Sequence, residues 1–180
     1  MKVVWTFGRA NPPTKGHEKL FKKVNLEASS RSAESMIFLS ETQDKKKNPL
    51  SYRDKVNVVE RAGFKVTKLD GVKTPFQVLE ELAKKGYTEQ TMVVGQDRVQ
   101  EFQSKMNKYA EQYGVRLEVI SAGDRDPDAE GTTGISGTKM REYAENNNFV
   151  SFRKGLIGTM PLPSAESVFH LVRKALGYLK

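Results

Sequence analysis

Short apolar runs rich in β-branched residues alternate along the chain with longer stretches in which apolar positions recur at helical spacing. Short runs of this kind predict buried strands. The five runs are Val3–Phe7, Met36–Leu39, Phe64–Leu69, Met92–Val94 and Leu117–Ile120. Alternating strand and helix signals predict right-handed βαβ units, and therefore an α/β fold with a parallel sheet of about five strands and helices on both faces.

The helical stretches carry their own start signals. One follows His17 with Leu20, Phe21 and Val24 on one face, and another begins where Thr74 can cap a helix whose first residue is Pro75. The longest stripe runs from Val99 to Tyr113, a further helix is expected near Thr138, and an amphipathic segment ends the chain at Val168–Leu179. We expect one domain over residues 1–157, followed over 158–180 by a linker and a C-terminal helix that packs on the same domain.

Composition narrows the classes of function. The 180 residues contain no cysteine, which removes disulfides, thiolate nucleophiles and thiolate metal sites. No apolar run approaches the roughly 18 residues that a membrane span needs, and the start "KVVWTFG" does not resemble a secretory signal, so a cytoplasmic location is expected. The net charge of +8 fits a polyanionic partner or a phosphorylated small molecule, and equally fits a solvated basic surface. Residues 123–137 are almost free of apolar side chains and predict a long surface loop.

The turn after the first predicted strand holds the first chemical signal. It reads "TFGRANPPTKGH" and contains one of only two histidines in the chain, His17. In open parallel sheets ligands bind where strands end and helices begin, and helix N-termini there bind phosphate. Gly8 would let a ligand approach the backbone, and Gly16 would allow tight packing at the helix start. Because His17 shares a face with apolar residues, a core histidine is the alternative interpretation.

The stretch Gly8–His17 resembles the HxGH signature of the nucleotidyltransferase superfamily. It is most similar to nicotinamide mononucleotide adenylyltransferases of the archaeal type and to related nucleotidyltransferases of tailed phages. The resemblance implies a Rossmann-like fold and makes His17 and Arg9 catalytic, with Phe7, Gly8, Thr14 and Gly16 at the nucleotide. Thr14 stands where most of the superfamily has a first histidine, and Ala10 stands where it has an aromatic residue.

A second run, "GISGTKMREYA", is a glycine-containing loop that enters a helix, and alone it fits an ordinary N-cap. It resembles the superfamily's ISSTxxR motif in its SGTxxR form. The resemblance implies that Ser136, Gly137, Thr138 and Arg141 hold the β- and γ-phosphates of a nucleoside triphosphate, with Arg141 counted as catalytic.

Two looser runs lie between these motifs. "KNPLSYRDKV" is similar to the segment after the second strand of these enzymes, which makes Lys47 and Lys55 candidates for phosphate or acceptor contacts. "VVGQDR" places Gly95, Asp97 and Arg98 after the fourth predicted strand, where relatives contact the nucleotide. The alternative for Lys47 and Lys55 is a turn and helix start, and the alternative for Asp97 is a cap for the following helix.

The resemblance implies transfer of a nucleoside monophosphate, most simply AMP from ATP, to a phosphorylated acceptor with release of pyrophosphate. Since no cluster of carboxylates or histidines resembles a protein metal site, Mg²⁺ would arrive on the triphosphate. A cytidylyltransferase acting on a phosphorylated alcohol and a non-enzymatic nucleic-acid-binding protein remain the alternatives. If the phage resemblance holds, the host cytoplasm is the compartment, and no membrane or nucleic acid is required. The sequence leaves a homo-oligomer open.

Overall fold

Four of the five predicted strands form a parallel sheet in the computed structural model, which describes residues 1–123 and 136–179. The strands are β1 (Lys2–Gly8), β2 (Glu34–Leu39), β3 (Glu89–Val94) and β4 (Arg116–Ser121), in the spatial order β2-β1-β3-β4. The β1–β3 register pairs Lys2 with Glu89, and the β3–β4 register pairs Val94 with Ser121. The predicted α/β fold with a parallel sheet is therefore confirmed.

The run Phe64–Leu69 was expected to be a strand and is irregular instead. The N–H of Thr67 donates to the carbonyl of Ile37 at 2.8 Å, yet no ladder develops along the segment. None of its six residues is buried, and the exposed Lys65 and Lys68 alternate with half-buried neighbours. The prediction was wrong because the run has strand-like composition without the burial that stabilises an added strand.

Seven helices lie in the described part of the chain, and their ends follow the local start signals. They are α1 (Lys15–Ser30), α2 (Tyr52–Arg61), α3 (Pro75–Lys84), α4 (Val99–Gln112), α5 (Gly137–Glu145), α6 (Phe149–Gly155) and α7 (Leu162–Leu176). Thr74 caps α3 as expected, and Gln77 completes a capping box with it. Helix α6 was missed because it is only seven residues long; Asn148 caps it by accepting the N–H of Ser151 at 3.2 Å. No described helix is long and apolar enough to cross a bilayer.

The described residues divide into two compact units. The first comprises 1–7, 19–38 and 67–123, and the second comprises 8–18, 39–66 and 136–179. The core of the first is centred on Trp5, which is fully buried, meets Phe38 edge-on at 6.3 Å between ring centroids and donates its Nε1–H to Gln90 Oε1 at 3.0 Å. The predicted domain boundary at residue 157 stays a prediction.

The second unit contains α2, α5, α6 and α7. Helix α7 packs against α5 and α6, where Phe169 meets Phe152 and Phe149 at 5.1 and 5.2 Å between ring centroids. Arg173 of α7 donates to the carbonyl of Ala144, which anchors the last helix on α5. The predicted linker 158–164 is shorter than expected because α7 begins at Leu162. Most of the polar loop 123–137, including Gly134, lies outside the described residues.

Candidate active site

The turn after β1 is held from a distant segment. Asn11 is buried and pairs with the backbone of Leu50: its Oδ1 accepts the Leu50 N–H at 2.8 Å and its Nδ2 donates to the Leu50 carbonyl at 3.5 Å. Ser40 donates its N–H to the carbonyl of Gly8 at 2.9 Å, and the adjoining Ala10 is buried with a positive φ of 47°. These bonds hold the backbone at Gly8 and Asn11, and therefore fix the position from which the chain enters α1.

Thr14 and His17 form a reciprocal pair at the start of α1. The Thr14 N–H donates to His17 Nδ1 at 3.0 Å, with the Thr14 hydroxyl 3.1 Å from the same nitrogen, while the His17 N–H points to Thr14 Oγ1 at 3.5 Å. This is the geometry of a capping box with histidine in the place of glutamate. A backbone N–H can only donate, so Nδ1 is an acceptor and the proton of the neutral ring lies on Nε2. His17 thus presents a donor at the far side of its ring.

Gly8 lies beside that donor. A Cβ added to Gly8 would stand 3.6 Å from His17 Cδ2 and 3.9 Å from Nε2, so the Cδ2–Nε2 edge of the ring faces the glycine backbone. His17 is half-buried, which places it at the surface of its unit and not in the core. The expected approach of a ligand to the Gly8 backbone stays a prediction.

Arg141 reaches back to the same turn from α5. Its Nη1 donates to the carbonyl of Asn11 at 2.8 Å, and its Nη2 donates to Thr138 Oγ1 at 3.2 Å. A Cβ on Gly137 would come within 3.1 Å of Nη1 and 3.5 Å of the Asn11 carbonyl oxygen, so a side chain there would crowd the guanidinium group. Ser136 caps α5 by accepting the Lys139 N–H at 3.2 Å. The four specified residues of the SGTxxR pattern therefore each have a local structural role.

Two positive groups influence each other here. Burial lowers the pKa of Arg141, and the charge of Arg9 lowers it further, whereas Asp44 and Glu142 oppose the shift. Arg9 itself is exposed. A bound anion would relieve the repulsion between the two guanidinium groups, so the pair is suited to binding phosphate.

Lys55 has a different place from the one that the sequence suggested. Its side chain is fully buried, and its Nζ donates to the carbonyl of Arg9 at 2.8 Å and to the carbonyl and hydroxyl of Ser40 at 2.5 and 3.1 Å. Burial lowers the pKa of Lys55 to about 8, against the opposing charge of Glu41. All three donors of the ammonium are used within the protein, so Lys55 positions the backbone of Arg9 and does not face a phosphate.

Lys47 belongs to an exposed loop organised by Asp44. The Asp44 carboxylate accepts the N–H of Lys47 at 2.8 Å and the side-chain amide of Asn48 at 2.8 Å, and the latter bond holds the pKa of Asp44 well below its usual range. Asn48 is buried, and its Oδ1 has no hydrogen-bond partner within the described residues.

Sequence reasoning missed Asn11, Ser40 and Asp44. Aspartate favours turns in which its carboxylate accepts backbone N–H groups two to four residues later, so Asp44 could have been recognised from the sequence. Asn11 and Ser40 bond to residues far away in the sequence and could not.

The remaining candidates lie in the first unit. Gly95 begins a 3₁₀ turn over Gln96–Arg98, Asp97 and Arg98 are exposed, and Phe7 packs against the core from β1. Asp97 does not cap α4, because Arg98 occupies the cap position and makes no side-chain capping bond. Arg98 instead lies over the Phe102 ring at 4.9 Å.

Gly16 occupies the second position of α1, where it is half-buried. Lys15, which precedes it, donates to the carbonyl of Gly158 and lies 3.7 Å from Glu18 Oε2. Among the described residues no group of three or more histidines, aspartates or glutamates is placed to hold a metal ion. Arg9 and Arg141 are cationic and Thr14 and Thr138 carry hydroxyls, and these groups suit phosphate oxygens better than a bare cation.

Comparisons with known proteins agree with this architecture. A solved structure described as that of a nicotinate-nucleotide adenylyltransferase from Vibrio parahaemolyticus is similar to the chain with a TM-score of 0.57 and 20% identity, covering 94% of this chain and 99% of the other. No curated protein matches the sequence. Residues 5–143, which include the turn after β1 and the start of α5, match the family described as cytidylyltransferase-like. The chain belongs to the cytidylyltransferase-like family of nucleotidyltransferases.

Proposed function

We propose that this nucleotidyltransferase moves AMP from ATP to a phosphorylated acceptor, with nicotinamide mononucleotide as the first acceptor to test. An acceptor phosphate oxygen would attack the α-phosphorus in line. The bond from that phosphorus to the bridging oxygen would break, and pyrophosphate would leave with the electron pair. The similarity of Gly8–His17 to archaeal-type adenylyltransferases supports this substrate pair. The cytoplasm, or the host cytoplasm for a phage protein, would supply both substrates.

The observation that carries the proposal is the hydrogen bond from the Thr14 N–H to His17 Nδ1 at 3.0 Å. Because that N–H can only donate, the proton of the neutral ring would lie on Nε2, on the ring edge that faces the Gly8 backbone. An oxygen of the α-phosphate at that position would gain negative charge during the transfer, and a fixed donor stabilises such charge without reorganising. His17 therefore needs no proton transfer in order to act.

Arg9 and Arg141 would neutralise the charge of the triphosphate. The N-terminus of α5, with Ser136, Gly137 and Thr138, adds backbone N–H groups and the positive end of a helix dipole toward the β- and γ-phosphates. Thr14 and Gly16 would complete the nucleotide contacts of the second unit, where the exposed Lys47 is the proposed acceptor contact. In the first unit, the proposed nucleotide-binding residues are Phe7, Gly95, Asp97 and Arg98. Mg²⁺ would enter on the triphosphate and share its charge.

Pyrophosphate release in the presence of Mg²⁺ tests this proposal, with ATP and CTP each crossed against nicotinamide mononucleotide, nicotinate mononucleotide and phosphorylated alcohols. We expect release with ATP and a pyridine mononucleotide. Release only with CTP and a phosphorylated alcohol would keep the reaction class and replace the substrates. Absence of release in every combination, together with salt-dependent binding of nucleic acid, would overturn the proposal in favour of a binding protein. His17→Ala serves as the inactive control.

A further inference from the structure

A cavity of about 450 Å³ lies in the second unit, between helix α6 and the segment that connects it to α7. Its apolar lining consists of Phe149, Val150, Leu156, Ile157, Met160 and Ala165. The volume falls within the range of about 300–1,000 Å³ typical of small-molecule sites. Leu156, Ile157, Met160 and Ala165 are buried, whereas Val150 is exposed, so the cavity opens to the surface on one side.

The rim of the cavity has a single sign of charge. Lys15, Arg153 and Lys154 line it, and no acidic side chain does so among the described residues. Glu18 partly neutralises Lys15, at 3.7 Å, whereas Arg153 and Lys154 are exposed and form no ion pair within the described part of the chain. Their position in the last turn of α6 stabilises that helix end and still leaves both charges at the cavity mouth. The chemistry favours an organic anion with an apolar body.

The wall of the cavity is bonded to the turn that carries His17. Thr14 forms an isolated antiparallel bridge with Leu156, and the Ile157 N–H donates to the carbonyl of Pro13 at 3.3 Å. Lys15 donates to the carbonyl of Gly158, so three consecutive residues on each side are tied together. A ligand that contacts residues 156–158 therefore acts on the backbone that holds the Thr14–His17 pair.

We propose that this cavity is an effector site for a small aromatic anion, and that its occupancy is transmitted to His17 through the pairing of residues 13–15 with 156–158. The aromatic body would lie against Leu156 and Met160, and the carboxylate, sulfonate or phosphate would face Arg153 and Lys154. Occupancy would stabilise the backbone pairing and change the surroundings of the His17 ring. Binding itself does not depend on the proposed reaction.

Fluorescence of 8-anilino-1-naphthalenesulfonate, an aromatic anion, tests the binding step. We expect saturable binding that weakens about fivefold in the double variant Arg153→Gln/Lys154→Gln, since two partly exposed charge contacts are lost. Thr159→Trp, at an exposed lining position, should block the cavity. The matched control is Lys108→Gln, an exposed lysine on α4, which should bind the probe like the natural protein. Equal affinity in the double variant, Thr159→Trp and the control would overturn the site.

The coupling step is tested by NMR of the imidazole groups, because the chain has only two histidines. His170→Gln removes one signal and so assigns the other to His17. We expect the His17 signal to shift on titration with the probe, with the midpoint seen by fluorescence, and the His170 signal to stay in place. Saturable binding without a shift of His17 would overturn the coupling. Since neither experiment measures turnover, both outcomes are separate from the outcome of the pyrophosphate assay.

Discussion

Two turns follow strands of the sheet and both carry candidate residues, yet they are built differently. The turn Gly8–His17 is held by hydrogen bonds from Leu50, Lys55 and Arg141. The turn Gly95–Arg98 is exposed, and its side-chain contacts are local, such as Arg98 Nε at 3.9 Å from Glu101. The comparison indicates that bonds from distant segments restrict the position of a donor in the first turn, as charge stabilisation in a transition state requires. The second turn can attract a charged substrate, but it offers less precise geometry.

The strongest test of the first turn is His17→Ala. We expect kcat to fall about 10²- to 10³-fold, as for loss of a single transition-state donor elsewhere. Stability should fall by only about 1 kcal/mol, because the Thr14 N–H loses one partner. Pyrophosphate release and thermal unfolding measure the two effects.

A second substitution separates the cap from the chemistry. Glutamine at the third helical position can complete a capping box with Thr14, so His17→Gln should regain most of the stability and little of the turnover. His170→Ala, at an exposed position of α7, is the control and should leave both unchanged. Full activity of His17→Ala would contradict the mechanism, and a grossly unfolded variant would favour a structural histidine.

The sequence predicts these two turns with unequal success for a physical reason. Local signals such as the Thr74 capping box, the Ser136 cap and the position of His17 in the first turn of α1 depend on neighbouring residues, and the structure has all three. The bonds that hold the first turn join residues 32 to 130 positions apart, from Ser40 with Gly8 to Arg141 with Asn11. Nothing in the local pattern encodes those distances.

Lys55 shows the same limit. Its motif suggested a phosphate contact, but its burial and its oxygen partners come from the folding of other segments onto α2. The missing strand at Phe64–Leu69 has a related cause. Strand-like composition is local, whereas the burial that would keep a strand in place depends on what packs over it.

A glycine substitution tests how closely α5 must approach the first turn. Gly137→Ala would place a Cβ 3.1 Å from Arg141 Nη1, so the guanidinium must move, and we expect kcat/KM to fall about tenfold. Stability should be nearly unchanged, since alanine suits a helix better than glycine does.

The control has the opposite profile. Gly114 has a φ of +66° and open space around its Cα, so Gly114→Ala should cost about 1 kcal/mol of stability through backbone strain and leave kcat/KM intact. Steady-state kinetics and urea unfolding on both variants decide the matter. Loss of activity in proportion to loss of stability would contradict a specific role for Gly137.

The buried ammonium beneath the first turn predicts a pH dependence of stability. The pKa of Lys55 is about 8 in the folded protein and near 10.5 when exposed. Between these values the unfolded chain binds more protons than the folded one, so stability rises with pH. From pH 7.5 to 9.5, Lys55 should raise the free energy of unfolding by about 2 kcal/mol.

Lys55→Met isolates that contribution, because other groups titrate alike in both proteins. We expect the variant to be less stable by about 2 kcal/mol at pH 7.5, where it leaves the oxygens of Arg9 and Ser40 without their donor. Between pH 7.5 and 9.5 the free energy of unfolding of the variant should gain about 2 kcal/mol less than that of the natural protein. If urea unfolding gives the same difference in free energy of unfolding between the two proteins at both pH values, Lys55 stays protonated throughout and the prediction is wrong.

The smallest effect is expected at the second turn, with Arg98→Gln. Arg98 is exposed and screened, so we expect KM for the triphosphate to rise about threefold at low salt, with kcat unchanged and stability within about 0.5 kcal/mol. Arg116→Gln makes the same change of charge at an exposed residue that begins β4, whereas Arg98 follows the end of the parallel neighbour β3. Ligands of parallel sheets bind where strands end. If Arg98 contacts the nucleotide directly, KM should therefore rise for Arg98→Gln and not for Arg116→Gln. Equal changes of KM in the two variants would mean that Arg98 contributes only to the overall positive field, and that the second turn has no nucleotide contact of its own.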